Sequence, residues 1–283
     1  MVEQVDSETI TPILLVGAGR MGGALLAGWL RAGLEPAAIT VVDPAPRMRP
    51  EGVRHHPDLA AWARACEPEP AVLVLAVKPQ QAAGVIGDLA ALVRRSSRWA
   101  ETVLVSIAAG VPLAALGRIG LPAVRAMPNL PARLGAGVTA LFAAEDLAAA
   151  SRRRAEAVFG LIGRVVWLAR ESDIDLATAV SGSGPAYVYA FTEALEKAAV
   201  ALGFAPDLAA VLARQTVIGA ARLMAESGAD PTQLREEVTS PGGTTAAALA
   251  VLQGEGGLDD LCARALAAAA RRAEELFGKG EQS

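Results

Sequence analysis

The chain has 283 residues, of which 53% are hydrophobic and 20% are charged. A length of this size favours two domains, at roughly 150 residues each, and the composition is that of a globular protein. The formal net charge of −4 argues against a nucleic-acid partner, since such surfaces are usually basic and concentrated. The uninterrupted apolar run at residues 71–77 is too short to span a bilayer, so no membrane association is expected.

The cysteines and histidines give little sign of metal or redox chemistry. Cys66 and Cys262 are the only cysteines, and neither belongs to a CxxC pair or to a Cys/His cluster. The sequence therefore predicts no metal site and fits a reducing compartment. The polar, acidic start of the chain does not read as a signal peptide, so a cytoplasmic location is expected. His55 and His56 lie in a polar stretch that predicts a surface loop.

The first half alternates short β-branched runs with longer amphipathic segments, which is typical of βαβ units on a parallel sheet. Strands are predicted at residues 13–16, 39–42, 72–77, 102–107, 123–127, 137–142 and 165–168. Helices are predicted at residues 21–32, 58–65, 80–93 and 146–162. We therefore expect an α/β domain over residues 1–168.

After residue 168 the β-branched runs disappear, and alanine- and leucine-rich segments at helical spacing take over. Helices are predicted at residues 185–202, 206–227, 231–238, 244–253 and 258–277. This pattern indicates an all-α domain over residues 169–283. Its broad apolar stripes exceed what one small bundle needs to bury, which favours a homo-oligomer built through this half.

A glycine-rich motif lies between the first predicted strand and the first predicted helix. Its sequence, which matches GxGxxG, is Gly17-Ala18-Gly19-Arg20-Met21-Gly22. In a dinucleotide-binding turn, Gly17 would allow the tight turn, Gly19 would let the pyrophosphate approach, and Gly22 would let helix and strand pack closely. The alternative is a glycine-rich turn without a ligand. The strand, the helix and a following acidic residue favour the cofactor.

That acidic residue is Asp43, at the end of the second predicted strand, where a carboxylate can accept hydrogen bonds from the adenosine ribose. Asp43 alone favours NADH, whereas Arg47 could offer a guanidinium to the 2′-phosphate of NADPH. Both cofactors therefore remain open. The third predicted strand ends at Ala76-Val77-Lys78-Pro79, where ligands of open α/β sheets bind. Lys78 can act on the cofactor or end a strand in solvent.

The segment Ser240-Pro241-Gly242-Gly243-Thr244-Thr245 precedes an apolar helix in the second half. Free N–H groups and the helix dipole make such a helix start a good site for a carboxylate. The alternative is a capped helix start, in which Ser240 or Thr244 bonds its own backbone. The spacing alone leaves these two interpretations open.

Five segments together resemble pyrroline-5-carboxylate reductases. They occur in the family's order, cover nearly the whole chain, and read Val16-Gly17-Ala18-Gly19-Arg20-Met21-Gly22, Ala76-Val77-Lys78-Pro79-Gln80, Arg125-Ala126-Met127-Pro128-Asn129, Ser181-Gly182-Ser183-Gly184-Pro185-Ala186-Tyr187 and Val238-Thr239-Ser240-Pro241-Gly242-Gly243-Thr244-Thr245. The resemblance implies a Rossmann-type domain followed by an all-α dimerisation domain. It also implies NADPH- or NADH-dependent reduction of 1-pyrroline-5-carboxylate to L-proline by a homodimer or a larger assembly of dimers.

The resemblance also assigns site residues. Thr245 matches the threonine whose hydroxyl reaches the ring nitrogen, and the loop that holds the carboxylate is matched by Ser240, Gly243 and Thr244. Met127 and Asn129 match the segment on the nicotinamide and substrate side. Two positions depart from the family: Leu130 replaces the usual threonine, and Ala199 replaces a common glycine. Leu130 could alter packing near the cofactor.

The matching segments contain no histidine, cysteine or paired carboxylate, so a strong general acid is not evident. If the imine arrives protonated, orientation can do most of the work, since it is worth up to ~7–11 kcal/mol. Two other classes compete with this hypothesis. A related β-hydroxyacid dehydrogenase or imine reductase would be expected to use a lysine in the helical half, where Lys197 lies outside any such motif. A non-catalytic dinucleotide sensor would have no need of the SPGGTT segment.

Overall fold

An eight-stranded sheet organises the first part of the chain in the computed structural model, which describes residues 7–65, 67–96 and 99–277. The strands are β1 (Ile13–Val16), β2 (Ile39–Val42), β3 (Arg54–His56), β4 (Val72–Leu75), β5 (Val103–Ser106), β6 (Ala123–Met127), β7 (Gly137–Phe142) and β8 (Gly163–Trp167). Their spatial order is β3-β2-β1-β4-β5-β6-β7-β8. Neighbours pair in parallel except β6 and β7, which are antiparallel. Residues 128–136, all of which the structure describes, contain no crossover α-helix, so the chain reverses direction between these two strands.

The central strands are almost entirely apolar because both faces of the sheet are covered, and Ser106 of β5 is the one polar residue in β1, β4 and β5. All residues of β1, β4 and β5 are buried. Ile13 and Leu15 belong to the hydrophobic cluster on one face, whereas Leu14 and Val16 belong to the cluster on the other. This is the pattern of a parallel sheet with helices on both sides.

Within the described residues up to 183, the α-helices beside the sheet are α1 (Ser7–Ile10), α2 (Arg20–Arg31), α3 (Leu59–Arg64), α4 (Pro79–Arg94), α5 (Leu113–Gly117), α6 (Ala149–Gly160) and α7 (Asp173–Ala177). Trp29 of α2 is fully buried and donates its Nε1–H to the Val158 carbonyl of α6 at 2.9 Å. A 3₁₀ turn at Leu130–Leu134 packs against α2. A π-helical turn at Thr178–Gly182 follows α7.

Residues Gly184–Ala269 form a second compact unit, and the other described residues form the first. The helices of the second unit are α8 (Gly184–Ala201), α9 (Pro206–Ser227), α10 (Pro231–Glu237), α11 (Thr244–Leu252) and the first part of α12 (Leu258–Phe277). Only Ala209 and Ala213 are buried among residues 184–269, all of which the structure describes. Many large apolar side chains are exposed, including Leu202 at 83% and Val211 at 62%. This unit therefore has almost no interior of its own.

Helix α9 also has the length and apolar composition to cross a membrane, with a mean hydropathy of 1.3 over its most apolar window. It is the one helix of this kind in the described part of the chain. This finding rests only on the length and composition of the helix. Within the second unit, α9 packs against α8, and Arg214 of α9 forms an ion pair with Glu196 of α8 at 2.6 Å.

The fold class expected from the sequence is confirmed, and the predicted strands and helices are present with small shifts at their ends. The short strand β3 and the short helices α1, α5 and α7 were missed. The surface loop predicted at His55 and His56 is wrong, because both residues lie in β3, paired in parallel with β2. Both side chains are half-buried: His55 Nε2 donates to the Asp43 carbonyl at 2.8 Å, and His56 Nε2 lies 3.1 Å from Glu67 Oε1.

The domain boundary at residues 168/169 stays a prediction. The sheet ends with β8 at Trp167, but α7 contacts β6 and β7, and the first compact unit continues to Ser183. The residues after the last strand thus still pack on the sheet. A change in periodicity can indicate where strands stop, but it does not indicate where the next helix packs.

Gly28 of α2 offers a test of the close packing between α2 and the 3₁₀ turn. A Cβ at Gly28 would overlap the Ala132 carbonyl oxygen and would lie 2.7 Å from Ile162 Cγ2. We expect Gly28→Ala to lower the free energy of unfolding by about 1–3 kcal/mol in urea denaturation.

Gly23→Ala is the matched control on the same helix. The nearest atom to a Cβ there is the Ala18 carbonyl oxygen, at 3.6 Å, which is an ordinary contact. Alanine should then be neutral, or stabilise the helix by up to ~1 kcal/mol. Equal effects of the two substitutions would contradict the packing described here.

Candidate functional site

The three glycines of the GxGxxG motif have different surroundings in the structure. Gly17 has φ +95°, and a Cβ there would lie 2.6 Å from the Ala76 carbonyl oxygen. A Cβ at Gly22 would overlap the Gly17 carbonyl oxygen. Gly19 is exposed, and a Cβ there would meet nothing within 4 Å. The chain's own packing therefore requires the first and third glycines, whereas the second leaves open space from which a ligand can approach the backbone.

The amino end of α2 lies directly behind this open space. Gly19 is the N-cap, and among the described residues no side chain caps the helix. The first main-chain bond of the helix runs from Gly23 N–H to the Gly19 carbonyl at 3.0 Å, so the N–H groups before it have no helical acceptor. Uncapped N–H groups and the helix dipole favour an anion. These residues fit the pyrophosphate of a dinucleotide.

Asp43, which follows β2, holds the glycine-rich loop. Its Oδ2 accepts a hydrogen bond from Ala18 N–H at 2.6 Å, and its Oδ1 accepts one from Ala45 N–H at 2.8 Å. Arg47 N–H donates to the Ala18 carbonyl at 3.2 Å. Segment 43–47 thus bonds both polar groups of Ala18. A carboxylate has about four acceptor positions, so Asp43 retains capacity for the ribose contact that the sequence predicts.

The predicted cofactor residues meet at the carboxyl ends of three neighbouring strands. The Gly17 loop follows β1, Asp43 follows β2, and Ala76 to Pro79 follow β4. Ala76 N–H donates to the Val16 carbonyl at 2.7 Å, which continues the pairing of β1 and β4 into the loop. Three cations at these strand ends are exposed, namely Arg20, Arg47 and Lys78. The structure thus brings the predicted cofactor residues together at the carboxyl ends of these strands.

Met127 and Asn129, at the carboxyl end of β6, are both 8% exposed. Both ends of the Asn129 carboxamide are bonded within the chain: Nδ2 donates to the Ser181 carbonyl at 3.1 Å, and Oδ1 accepts from Val138 N–H at 3.0 Å. Leu130, the departure from the family pattern, is 42% exposed at the start of the 3₁₀ turn. Asn129 is therefore committed to the protein itself.

The SPGGTT segment forms a turn that leads into α11. Gly243 N–H donates to the Ser240 carbonyl at 3.0 Å, and Gly242 has φ +69°. Proline at the second position and glycine with positive φ at the third are the signature of a type II turn. Gly243 is then the N-cap of α11, and no described side chain caps this helix. The capped start, in which Ser240 or Thr244 bonds its own backbone, is wrong.

Thr245 lies in the first turn of α11 and is half-buried. Four other threonines donate their hydroxyls to the carbonyl four residues earlier, and they are Thr178, Thr192, Thr216 and Thr239. At Thr245 the residue four places earlier is Pro241, which lies outside the helix. Within the described residues, the Thr245 hydroxyl makes no hydrogen bond to the protein. It is free to bond a ligand.

The predicted site residues fall into two sets, each within its own unit. Those for the cofactor, with Met127 and Asn129, belong to the first unit, whereas Ser240, Gly243, Thr244 and Thr245 belong to the second. In the described part of the chain no group of His, Cys, Asp and Glu could hold a metal ion.

Sequence reasoning missed a charge cluster that Arg125 of β6 forms with Glu171 and Asp175. Arg125 is 7% exposed, and its guanidinium donates to Glu171 Oε1 at 2.8 Å. Glu171 Oε1 also accepts Leu113 N–H at 2.7 Å. Asp175 Oδ1 lies 3.9 Å from the same guanidinium but is buried without a hydrogen bond. Burial raises the pKa of the Asp175 carboxyl, and Arg125 only partly offsets this, while Glu171 and Glu274 raise it further. The arginine in the Arg125–Asn129 segment was the available signal.

Asp175 should make stability depend on pH. Because its pKa is raised in the folded protein, the native state binds this proton more tightly than the unfolded chain. Its contribution is therefore favourable in acid and is lost as pH rises from the ordinary carboxyl pKa of ~4 through the raised value. We expect Asp175→Asn to increase the free energy of unfolding at neutral pH, as measured by urea denaturation across this range.

Asp173→Asn is the control for this measurement. Asp173 lies on the same helix, and its carboxylate pairs with exposed Arg170 at 2.7 Å. Losing this pair should not raise stability. A drop in stability for Asp175→Asn at neutral pH would mean that attraction to Arg125 outweighs the burial of the carboxylate.

Comparison with known proteins identifies similar chains over nearly the whole length. A family model described as pyrroline-5-carboxylate reductase dimerisation matches residues 171–276, and one described as NADP oxidoreductase coenzyme F420-dependent matches residues 12–110. The pyrroline-5-carboxylate reductase of Pseudomonas aeruginosa is 37% identical over 268 residues, which cover 93% of this chain and 96% of the relative.

Two solved structures extend the comparison. The pyrroline-5-carboxylate reductase of Coxiella burnetii matches with a TM-score of 0.82 and 36% identity, covering 94% of this chain and 98% of that one. The pyrroline carboxylate reductase of Plasmodium falciparum, solved with NADP bound, matches with a TM-score of 0.77 and 26% identity, with the same coverages of 94% and 98%.

Proposed function

The chain belongs to the pyrroline-5-carboxylate reductase family, and we propose from this that it reduces 1-pyrroline-5-carboxylate to L-proline with NADH or NADPH, the last step of proline biosynthesis. The observation that carries the proposal is the 37% identity with a curated reductase across 93% of the chain. The open space at Gly19 and the uncommitted Thr245 hydroxyl support it, since each fits one part of such a reaction.

The reaction divides between the two sets of residues. The amino end of α2, with Arg20 beside it, holds the pyrophosphate through main-chain N–H groups and positive charge. The reduced nicotinamide, when bound, supplies the hydride that the imine carbon receives. The type II turn and the amino end of α11 hold the substrate carboxylate, because the N–H groups after Gly243 have no helical acceptor.

We assign the catalytic position to Thr245. Its hydroxyl can donate to or accept from the ring nitrogen, which changes from imine to amine during the reaction. A hydroxyl is too weak an acid to protonate the imine by itself, so the imine must bind already protonated. Thr245 then needs only to orient it. Thr245 then fixes the ring, and Ser240, Gly243 and Thr244 fix the carboxylate, so that the imine carbon is presented in one orientation.

The proposal includes a homodimer or a larger assembly of dimers. It is supported by the match of residues 171–276 to a dimerisation family and by the exposed apolar side chains of the second unit. A second copy of the chain can cover α9, so we do not propose a membrane as partner. The net charge of −4 argues against a nucleic acid. A cytoplasmic location is part of the same proposal, supported by two cysteines that are far apart in sequence.

The first test is the loss of reduced-nicotinamide absorbance when the purified protein meets 1-pyrroline-5-carboxylate, with NADH and NADPH in parallel. We expect rapid oxidation of at least one cofactor and formation of proline. A higher rate with NADH would indicate that the carboxylate of Asp43 determines cofactor preference. A higher rate with NADPH would indicate that the guanidinium of Arg47 does. Binding of both cofactors without oxidation of either would reject this substrate, and other cyclic imines would then be tested.

Thr245→Ala should lower kcat by about tenfold or more, since one hydrogen bond to the reacting ring is lost. The KM for the cofactor should stay within about twofold, because Thr245 is not part of the pyrophosphate site. Thr245→Ser keeps the hydroxyl and should restore most of the activity.

Thr216→Ala is the matched control, since the Thr216 hydroxyl is already bonded to the Leu212 carbonyl of its own helix at 2.7 Å. Wild-type kcat is expected for this variant. Steady-state kinetics of the three variants decide the role, and an unchanged kcat for Thr245→Ala would remove Thr245 from the mechanism.

A further inference from the structure

The segment Arg125-Ala126-Met127-Pro128-Asn129 presents every second side chain to one neighbour, residues 171–182. Arg125 donates to Glu171 at 2.8 Å, and Asn129 donates to the Ser181 carbonyl at 3.1 Å. Met127 lies between them, with its Sδ 3.6 Å from the position of a Cβ on Gly182. Side chains two apart in an extended segment point the same way, which explains the shared neighbour. We call these three residues the anchoring face.

The alternate residues of β6 serve the sheet instead. Val124 and Ala126 are buried in the hydrophobic cluster that contains Trp29. Met127 belongs to a separate small cluster with Ala140 and Ile174. One face of the segment therefore builds the main core, and the anchoring face binds the residues that follow the last strand.

Asn129 is bonded to an unusual piece of backbone. Residues Thr178–Gly182 form a π-helical turn, in which Ser183 N–H donates to the Thr178 carbonyl at 2.9 Å. Such wide turns are rare and frequently occur at functional sites. The Thr178 hydroxyl bonds the Ile174 carbonyl, whereas the Ser181 carbonyl receives the Asn129 amide. Asn129 therefore supplies from outside a hydrogen bond to the backbone of this turn.

The carboxamide of Asn129 also binds the start of β7 through Val138 N–H at 3.0 Å. One side chain thus connects the wide turn, the end of β6 and the beginning of β7. Asn129 is 8% exposed, and turning its carboxamide towards a ligand would break both bonds and leave the half-buried Ser181 carbonyl and Val138 N–H without these partners.

We propose that Asn129 is a positioning residue for the reduction rather than a substrate ligand. It fixes the wide turn against the carboxyl end of β6, and this contact keeps Gly182 against Met127, the side chain predicted to line the nicotinamide and substrate side. This inference rests on the proposed function. Its consequence is specific: loss of Asn129 impairs turnover of the imine but leaves the glycine-rich loop, which follows β1, able to bind the cofactor.

Asn129→Ala tests this proposal against Thr102→Val as a matched control. Thr102 is 1% exposed and donates its hydroxyl to the Pro70 carbonyl at 2.6 Å. It precedes β5 and therefore lies at the amino ends of the strands, away from the predicted site. Both variants lose hydrogen bonds of a buried side chain, so both should lower the thermal midpoint. Three quantities are compared with the wild-type protein: this midpoint, the Kd for the oxidised dinucleotide by fluorescence titration, and kcat/KM for 1-pyrroline-5-carboxylate.

We expect kcat/KM to fall by about tenfold or more in Asn129→Ala, with the dinucleotide Kd within about threefold of wild type. Thr102→Val should keep wild-type kcat/KM. Equal kinetics in the two variants would show that Asn129 is merely structural and would overturn the proposal. A wild-type protein that does not reduce the imine would instead contradict the proposed function.

Gly182→Val separates positioning from direct contact with substrate. A Cβ at Gly182 has an ordinary 3.6 Å contact with Met127 Sδ, but the added methyl groups of valine would push the wide turn away from Met127. If Asn129 acts through this turn, Gly182→Val reproduces the kinetic pattern of Asn129→Ala. Unchanged kinetics in Gly182→Val, beside a loss in Asn129→Ala, would assign Asn129 a direct contact and overturn the proposal.

Discussion

The burial of the central strands on both faces is the constraint on which the rest of the first unit depends. Four-residue strands such as β1 and β4 are too short to be stable alone, and they are held by parallel pairing and by helices on both sides. Crossover helices return the chain to the same end of the sheet each time, so the carboxyl ends of successive strands lie side by side. The backbone at Gly17 then comes so close to Ala76 that no side chain fits. The geometry of the cofactor loop is thus a consequence of sheet packing.

Most of this arrangement could be predicted, because it is carried by local patterns. The apolar runs of β1, β4 and β5 indicate buried strands, and the helices of the second half follow their apolar periodicity to within one residue. The edge strand β3 could not be found, since its sequence Arg-His-His carries no apolar run and its order comes from pairing with β2. Strand β7 was predicted at residues 137–142, but its antiparallel pairing depends on how the chain turns after β6 and not on its own composition.

The site was less predictable than the fold for a physical reason. A motif identifies which residue types a ligand needs, but it does not show what the protein itself does with their polar atoms. Asp43 was expected to face a ribose, and in the structure its oxygens accept main-chain N–H groups at Ala18 and Ala45. Asn129 was expected beside the substrate, and both ends of its amide are bonded to the backbone. Such long-range contacts depend on the folded chain.

The second unit has a different relation between sequence and stability. With only Ala209 and Ala213 buried, residues 184–269 hide too little apolar surface to offset the conformational entropy that ordering them costs. In the proposed homo-oligomer, the missing interior is provided by another copy of the chain. Folding of this half and association are then a single equilibrium, so its apparent stability follows the law of mass action and rises with protein concentration. Dilution alone would destabilise the helix that carries Thr245, and the specific activity, that is, the activity per molecule, would then fall with protein concentration.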